Sequence, residues 1–133
     1  GLGDNTKAAL MTRGLAEISR LGVAMGGKLE TFSGLSGIGD LIVTCTSSHS
    51  RNHSAGYLMG KGLSAEEAMK EVKQVVEGVY SAKAAASLAK KYKTDMPIVE
   101  QINEVLFNNK TAKQALSELF ERNRKMEYSC MEW

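Results

Sequence analysis

Pro97-Ile98-Val99-Glu100-Gln101-Ile102-Asn103-Glu104-Val105-Leu106 and, a few residues on, Thr111-Ala112-Lys113-Gln114-Ala115-Leu116-Ser117-Glu118-Leu119-Phe120 decide the fold class. Ile98, Ile102, Val105 and Leu106 form one apolar stripe, and Ala112, Ala115, Leu116, Leu119 and Phe120 form the next, both at the three-and-four spacing of a helix with one buried face. Pro97 suits a first helical position, where its missing N–H costs nothing, and Thr111 is a good N-cap. Arg122 to Lys125 would place positive charge at the end of the last helix, as its dipole favours. The tail beyond is expected to be loose.

The same reading extends back through the chain. A long helix is predicted over about residues 5–25, capped by Asp4, with Ala8, Met11, Leu15, Ile18 and Met25 on one face and Gly26-Gly27 as its stop. Lys28 to Phe32 suggests a short turn and Asp40 to Cys45 a short helix. A further helix is expected from Ser50 to Met59, ended by Gly60-Lys61-Gly62. Ser64-Ala65-Glu66-Glu67 has the form of a capping box and opens a helix through Val72. Glu77 or Gly78 opens another, to Tyr92. No segment alternates with period two, and Leu41-Ile42-Val43 is too short to be a sheet. The expectation is therefore an all-α, multi-helix bundle of about seven or eight helices in one domain over residues 1–133. Met11, Met25, Met59 and Met69 are expected to pack in its core.

Composition narrows the function classes. At 133 residues the chain should bury roughly two-thirds of its unfolded surface, enough for a core of its own. Seventeen basic residues against fifteen acidic ones and 6% aromatic content give neither the basic excess nor the stacking surface that nucleic acid requires, so no nucleic-acid partner is expected. Cys45 and Cys130 form no disulfide framework, which fits a reducing cytoplasm. No leader pattern is visible, and no apolar run nears the roughly 20 residues of a membrane span. The opening Gly-Leu-Gly-Asp, without an initiator Met, reads as a cut made inside a larger protein.

Thr31 to Asn52 departs from the helical pattern. It holds Gly34, Gly37 and Gly39, then Asp40 in front of an apolar run, then a Ser/Thr string ending on Ser50-Arg51-Asn52. The glycine spacing is not that of a dinucleotide-binding loop, and no strand precedes it, so turns that admit a close backbone or ligand explain it better. Ser50-Arg51-Asn52 at a helix start offers a hydroxyl, a forked guanidinium and free amides to one anion, although plain capping by Ser50 with a solvated Arg51 is an equal reading. Asp40 is either the cap of a short helix or an acid that orients a lysine or grips a hydroxyl. Lys7 lies in the first turn of the first helix, where the dipole disfavours a cation; this suits a proton donor, but also an exposed side chain leaning into water. His49 and His53 lack a third ligand, so no metal is expected.

Five motifs taken together resemble a known family. Gly3-Asp4-Asn5-Thr6-Lys7-Ala8-Ala9-Leu10, Thr12-Arg13-Gly14-Leu15, Thr31 through Ile42, Ser50-Arg51-Asn52 and Val75-Val76-Glu77-Gly78-Val79 are similar, in order and spacing, to the C-terminal domain of bacterial-type NAD(P)-dependent glycerol-3-phosphate dehydrogenase. Ser36 and Ile38 are small departures. The resemblance implies a helical substrate domain like that of 6-phosphogluconate-dehydrogenase-like enzymes. It would pack in the parent enzyme against an N-terminal Rossmann domain that holds most of the NAD or NADP. The implied substrate pair is dihydroxyacetone phosphate and glycerol 3-phosphate, in glycerophospholipid precursor synthesis. Lys7 would be the catalytic acid/base, with Asn5, Asp40 and Thr44 near the substrate and Ser50, Arg51 and Asn52 binding its end. Arg51, Val75 and Glu77 would touch the dinucleotide. Alone, the chain would be inactive, and homodimerisation is left open. Two rivals remain at this point: the substrate domain of another hydroxy-acid dehydrogenase, and a helical protein-interaction module.

Overall fold

The computed structural model describes residues 3–122, and every regular element among them is helical. The order is α1 (Asp4–Ala24), α2 (Leu29–Phe32), a π-helical turn (Leu35–Gly39) that runs straight into α3 (Asp40–Thr46), α4 (Arg51–Gly60), α5 (Ala65–Val72), α6 (Glu77–Tyr92), α7 (Pro97–Phe107) and α8 (Ala112–Glu121). The all-α bundle expected from periodicity is therefore present. Cys130, Arg124, Lys125 and the tail expected to be loose lie outside the described residues.

Helix ends follow local chemistry. Gly26 adopts φ +95°, and the Gly27 N–H reaches the Gly22 carbonyl at 2.8 Å while the Gly26 N–H reaches Val23 at 2.9 Å, a Schellman closure of α1 that needs a residue tolerant of left-handed backbone. Gly62, at φ +107°, closes α4 in the same way. Both capping boxes are complete: Ser64 with Glu67 opens α5, and Thr111 with Gln114 opens α8. The expectation for α1 needs correction. Gly3 is its N-cap, no side chain caps it, and Asp4 is the first helical residue, turned to Lys7 instead.

α1 ties the molecule together, touching α2, α3, α6 and α7, while α6, α7 and α8 pack in sequence and α4 lies on α5. The interior is built mainly from small residues: Ala55, Ala68, Ala82 and Ala115 are buried with Leu21, Val76 and Met96. Helices approach closely there rather than interleave large side chains. The predicted stripe on α1 is displaced by about one residue, since Ile18 and Met25 are 40% and 47% exposed whereas Glu17 and Leu21 are buried. Met25 is thus not core, and Met96 is the large side chain that is. The cause is a polar demand on that line. The first amides of α7 point at α1, and the Glu17 carboxylate accepts from the Ile98 N–H at 2.8 Å and from the Val99 N–H at 3.3 Å.

The glycines of the Thr31–Asp40 stretch serve the π-helical turn. A Cβ on Gly37 would fall on the backbone carbonyl of Phe32, which cannot give way without moving the end of α2. Gly37→Ala is expected to destabilise the fold by about 1–3 kcal/mol, the usual cost of overpacking, as read by urea unfolding. A loss within experimental error would mean that the turn relaxes freely.

Candidate functional site

Ser50, Arg51, Asn52 and Glu77 of the candidate site sit at helix starts, where free amides accumulate. Ser50 caps α4 by accepting the His53 N–H at 3.2 Å. His53 ties α4 back to α3: its Nδ1 lies 2.8 Å from the Cys45 carbonyl, and since a carbonyl only accepts, Nδ1 carries the hydrogen. Arg51 and Asn52, the first two residues of α4, reach the first two of α6. Arg51 Nη2 is 3.5 Å from Glu77 Oε1, and the Gly78 N–H donates to Asn52 Oδ1 at 3.0 Å. The Arg51 and Glu77 side chains are 43% and 73% exposed, so solvent weakens their attraction and leaves the guanidinium available to a better anion.

These contacts frame a cavity of about 360 Å³ whose lining includes Val43, Thr44, Ser50, Arg51, Asn52 and Glu77. Its size suits a small ligand. Arg51 and His49 also border a larger cavity of about 560 Å³ on the side of His53, Tyr57 and Glu71. One guanidinium therefore walls two adjoining spaces. His49, lining both, was not picked out as a binding residue from sequence, although its place between Ser48 and Ser50 in the polar string was a signal. Cys45 is half-buried, and burial pushes its thiol up from the ordinary value, which keeps it a packing group rather than a nucleophile.

The structure gathers Thr44, Ser50, Arg51, Asn52 and Glu77 around one cavity; Asn5, Lys7, Asp40 and Val75 are not among its lining residues. Asn5 and Lys7 occupy the first turn of α1, which packs against α3, the helix that begins at Asp40 and carries Thr44. The Lys7 ammonium stands 3.5 Å from Asp4 and its side chain is 49% exposed, so these residues by themselves do not desolvate it. Asp40 is exposed and caps nothing. Gly39 is the N-cap of α3, Asp40 is its first helical residue and no side chain caps the helix, which removes the capping reading. Val75, just before α6, is 59% exposed. Among the described residues no three metal-ligating side chains gather, and no helix is long and apolar enough to cross a membrane.

Comparison with known proteins identifies the family. Residues 1–117 match the family described as NAD-dependent glycerol-3-phosphate dehydrogenase C-terminus. The chain is 64% identical over 133 residues to glycerol-3-phosphate dehydrogenase [NAD(P)+] of Agathobacter rectalis, covering all of this chain and 40% of that protein. It is 57% identical to the enzyme of the same name from Moorella thermoacetica, again over the whole chain and 40% of the relative. The crystal structure of glycerol-3-phosphate dehydrogenase from Coxiella burnetii superposes with a TM-score of 0.87 at 42% identity, over 90% of this chain and 37% of that one. The chain thus spans about two-fifths of the length of the relatives it matches. Its sequence and its fold both agree with these relatives, and the chain belongs to the NAD-dependent glycerol-3-phosphate dehydrogenase family, as the C-terminal domain of such an enzyme.

Proposed function

We propose that this domain binds the three-carbon phosphate substrate of an NAD(P)-dependent glycerol-3-phosphate dehydrogenase and supplies the proton when dihydroxyacetone phosphate is reduced to glycerol 3-phosphate. The observation that carries the reading is the cavity at the start of α4, where Ser50, Arg51 and Asn52 converge beside free helix amides. That set is suited to a phosphate: amide and hydroxyl donors give directed hydrogen bonds, and the guanidinium gives charge. Thr44 adds a hydroxyl to the same wall. Asn5 and Asp40 would hold the hydroxyl and carbonyl oxygens of the substrate, and Lys7 would give a proton to the oxygen on the second carbon, or take it back in reverse.

NAD or NADP supplies or accepts the hydride when bound. The residues present fit a dinucleotide held mainly from outside this chain. Arg51, Val75 and Glu77 are exposed beside the cavity, and the described residues hold no parallel sheet with a glycine-rich loop. Their part would be to close over the dinucleotide, with Arg51 facing substrate and cofactor together. Ile42 and Val43 on α3, Val75, and Tyr80 on α6 are 44%, 62%, 59% and 72% exposed, an apolar surface suited to the Rossmann domain of the same protein. The reaction, placed in the cytoplasm, would feed glycerophospholipid synthesis.

The test is oxidation of NADH and NADPH by the full-length parent enzyme with dihydroxyacetone phosphate. Turnover supports the reading, whereas indifference to this substrate with activity on another hydroxy or oxo acid replaces it with the related-dehydrogenase alternative. The isolated chain is expected to give no measurable turnover in the same assay, because the described residues hold no sheet with a phosphate-binding loop to seat the nicotinamide.

A further inference from the structure

α6 begins without a side-chain cap of its own: Val76 is its N-cap residue, and a valine side chain accepts no hydrogen bond. One of its orphan amides, that of Gly78, is instead met from another helix by Asn52 Oδ1 at 3.0 Å. The contact requires a glycine. A Cβ at position 78 would sit 2.8 Å from Asn52 Oδ1 and 3.1 Å from its Cγ, so any larger residue displaces the amide group. An N–H is satisfied only by an acceptor, so the Asn52 amide is fixed with its oxygen toward α6. What Asn52 retains for the cavity it lines is its NH₂, a donor of two hydrogens.

We propose that Gly78 is a positioning residue of this site: by admitting the Asn52 oxygen to the α6 amide, it sets Asn52 as a hydrogen-bond donor toward the phosphate-bearing end of the substrate. The inference rests on the substrate reading given above. It differs from a purely structural role for Gly78, because the atoms that a new Cβ would meet belong to the tip of a flexible side chain, not to backbone. Gly78→Ala should therefore turn the amide of Asn52 without unfolding the domain, and alanine is the better helix former.

The experiment uses the full-length enzyme with dihydroxyacetone phosphate as the probe. Gly78→Ala is expected to raise KM for this substrate about tenfold, the equivalent of one hydrogen bond to a charged group, while kcat and the melting temperature change little. Asn52→Ala should raise KM at least as much, and the double variant should be no worse than Asn52→Ala alone. Asn52→Asp keeps the acceptor for Gly78 but loses the donor, so it should fold as wild type and bind this substrate more weakly. The proposal is overturned by an unchanged KM in Gly78→Ala, by multiplicative effects in the double variant, or by undiminished affinity in Asn52→Asp. Wild-type turnover is scored separately; its absence with dihydroxyacetone phosphate removes the substrate reading, and the positioning role with it.

Discussion

Lys7→Ala in the full-length enzyme should lower kcat by about 10²- to 10⁴-fold, the usual loss when a general acid/base is removed, with a much smaller change in KM. Lys7 lies in the first turn of α1, where backbone amides without helical partners and the positive end of the dipole oppose a cation, so a lysine here is a cost to local stability. Its ammonium is 3.5 Å from Asp4 and the side chain is 49% exposed, so among the described residues it is paired only at the surface. The role proposed for Lys7 requires this half-exposed side chain to meet a carbonyl oxygen brought to the cavity, with water excluded when the dinucleotide-bearing domain closes over it. Lys7→Arg should be nearly as inactive as the alanine variant, because guanidinium keeps its proton throughout the working range. Single-turnover measurements separate the outcomes. If the chemical step is as fast in Lys7→Ala as in wild type, the proton comes from elsewhere.

Glu17→Ala is expected to cost about 2–4 kcal/mol of stability, since it strips the acceptor from two part-buried amides at once. Glu17 is only 2% exposed, yet both of its oxygens are used, one on the Ile98 N–H and one on the Val99 N–H, so it caps α7 from the middle of α1. Pro97, in the first turn of α7, brings no N–H of its own, and Met96 provides no side-chain cap. Amide hydrogen exchange at Ile98 and Val99 is the local readout; protection equal to wild type in the variant would disprove the capping role. The same residue gives the fold a dependence on pH. Burial raises the Glu17 carboxyl above its ordinary value and outweighs the opposing pull of the two amides and Arg20. The folded state then holds this proton at pH values where the unfolded chain has released it. Its contribution is fully present below the unfolded value and declines as pH rises through the folded one. Unfolding free energies of wild type and Glu17→Gln, measured across that window, should show the advantage of wild type shrinking as pH rises.

The helices were legible because their signals are local. Apolar residues three and four apart, Pro97 at a first turn, Thr111 and Ser64 with partners three residues on, and Gly26 and Gly62 at helix ends each declare themselves within a few positions. The interior was less legible. Glu17 meets Ile98 across 81 positions, and no sequence window announces that a carboxylate, not Ile18, should face inward. The candidate site divides along the same line. Ser50-Arg51-Asn52 was visible as a helix start rich in donors, and the structure places all three on the wall of one cavity. The pairing of Arg51 with Glu77 and of Asn52 with Gly78, each 26 positions apart, is a product of how α4 and α6 meet. The π-helical turn was missed because its glycines suit several turn geometries equally well, and its hydrogen bonds, such as the Gly39 N–H to Gly34 at 3.3 Å, leave no mark on residue spacing.

That turn sets the phase of α3, which it runs straight into. A helix is a screw of about 100° per residue, so the wide turn at Leu35–Gly39 delivers Asp40 and Thr44 on a bearing that an unbroken α-helix of the same sequence would not reach. Length in this segment is therefore angle. A one-residue deletion that tightened the turn would preserve helix, composition and charge, yet swing Asp40 and Thr44 away from their bearings by about a quarter of a revolution. Homologous enzymes that redirect this wall of the site have two routes open to them, exchanging its side chains or altering the count of residues ahead of it.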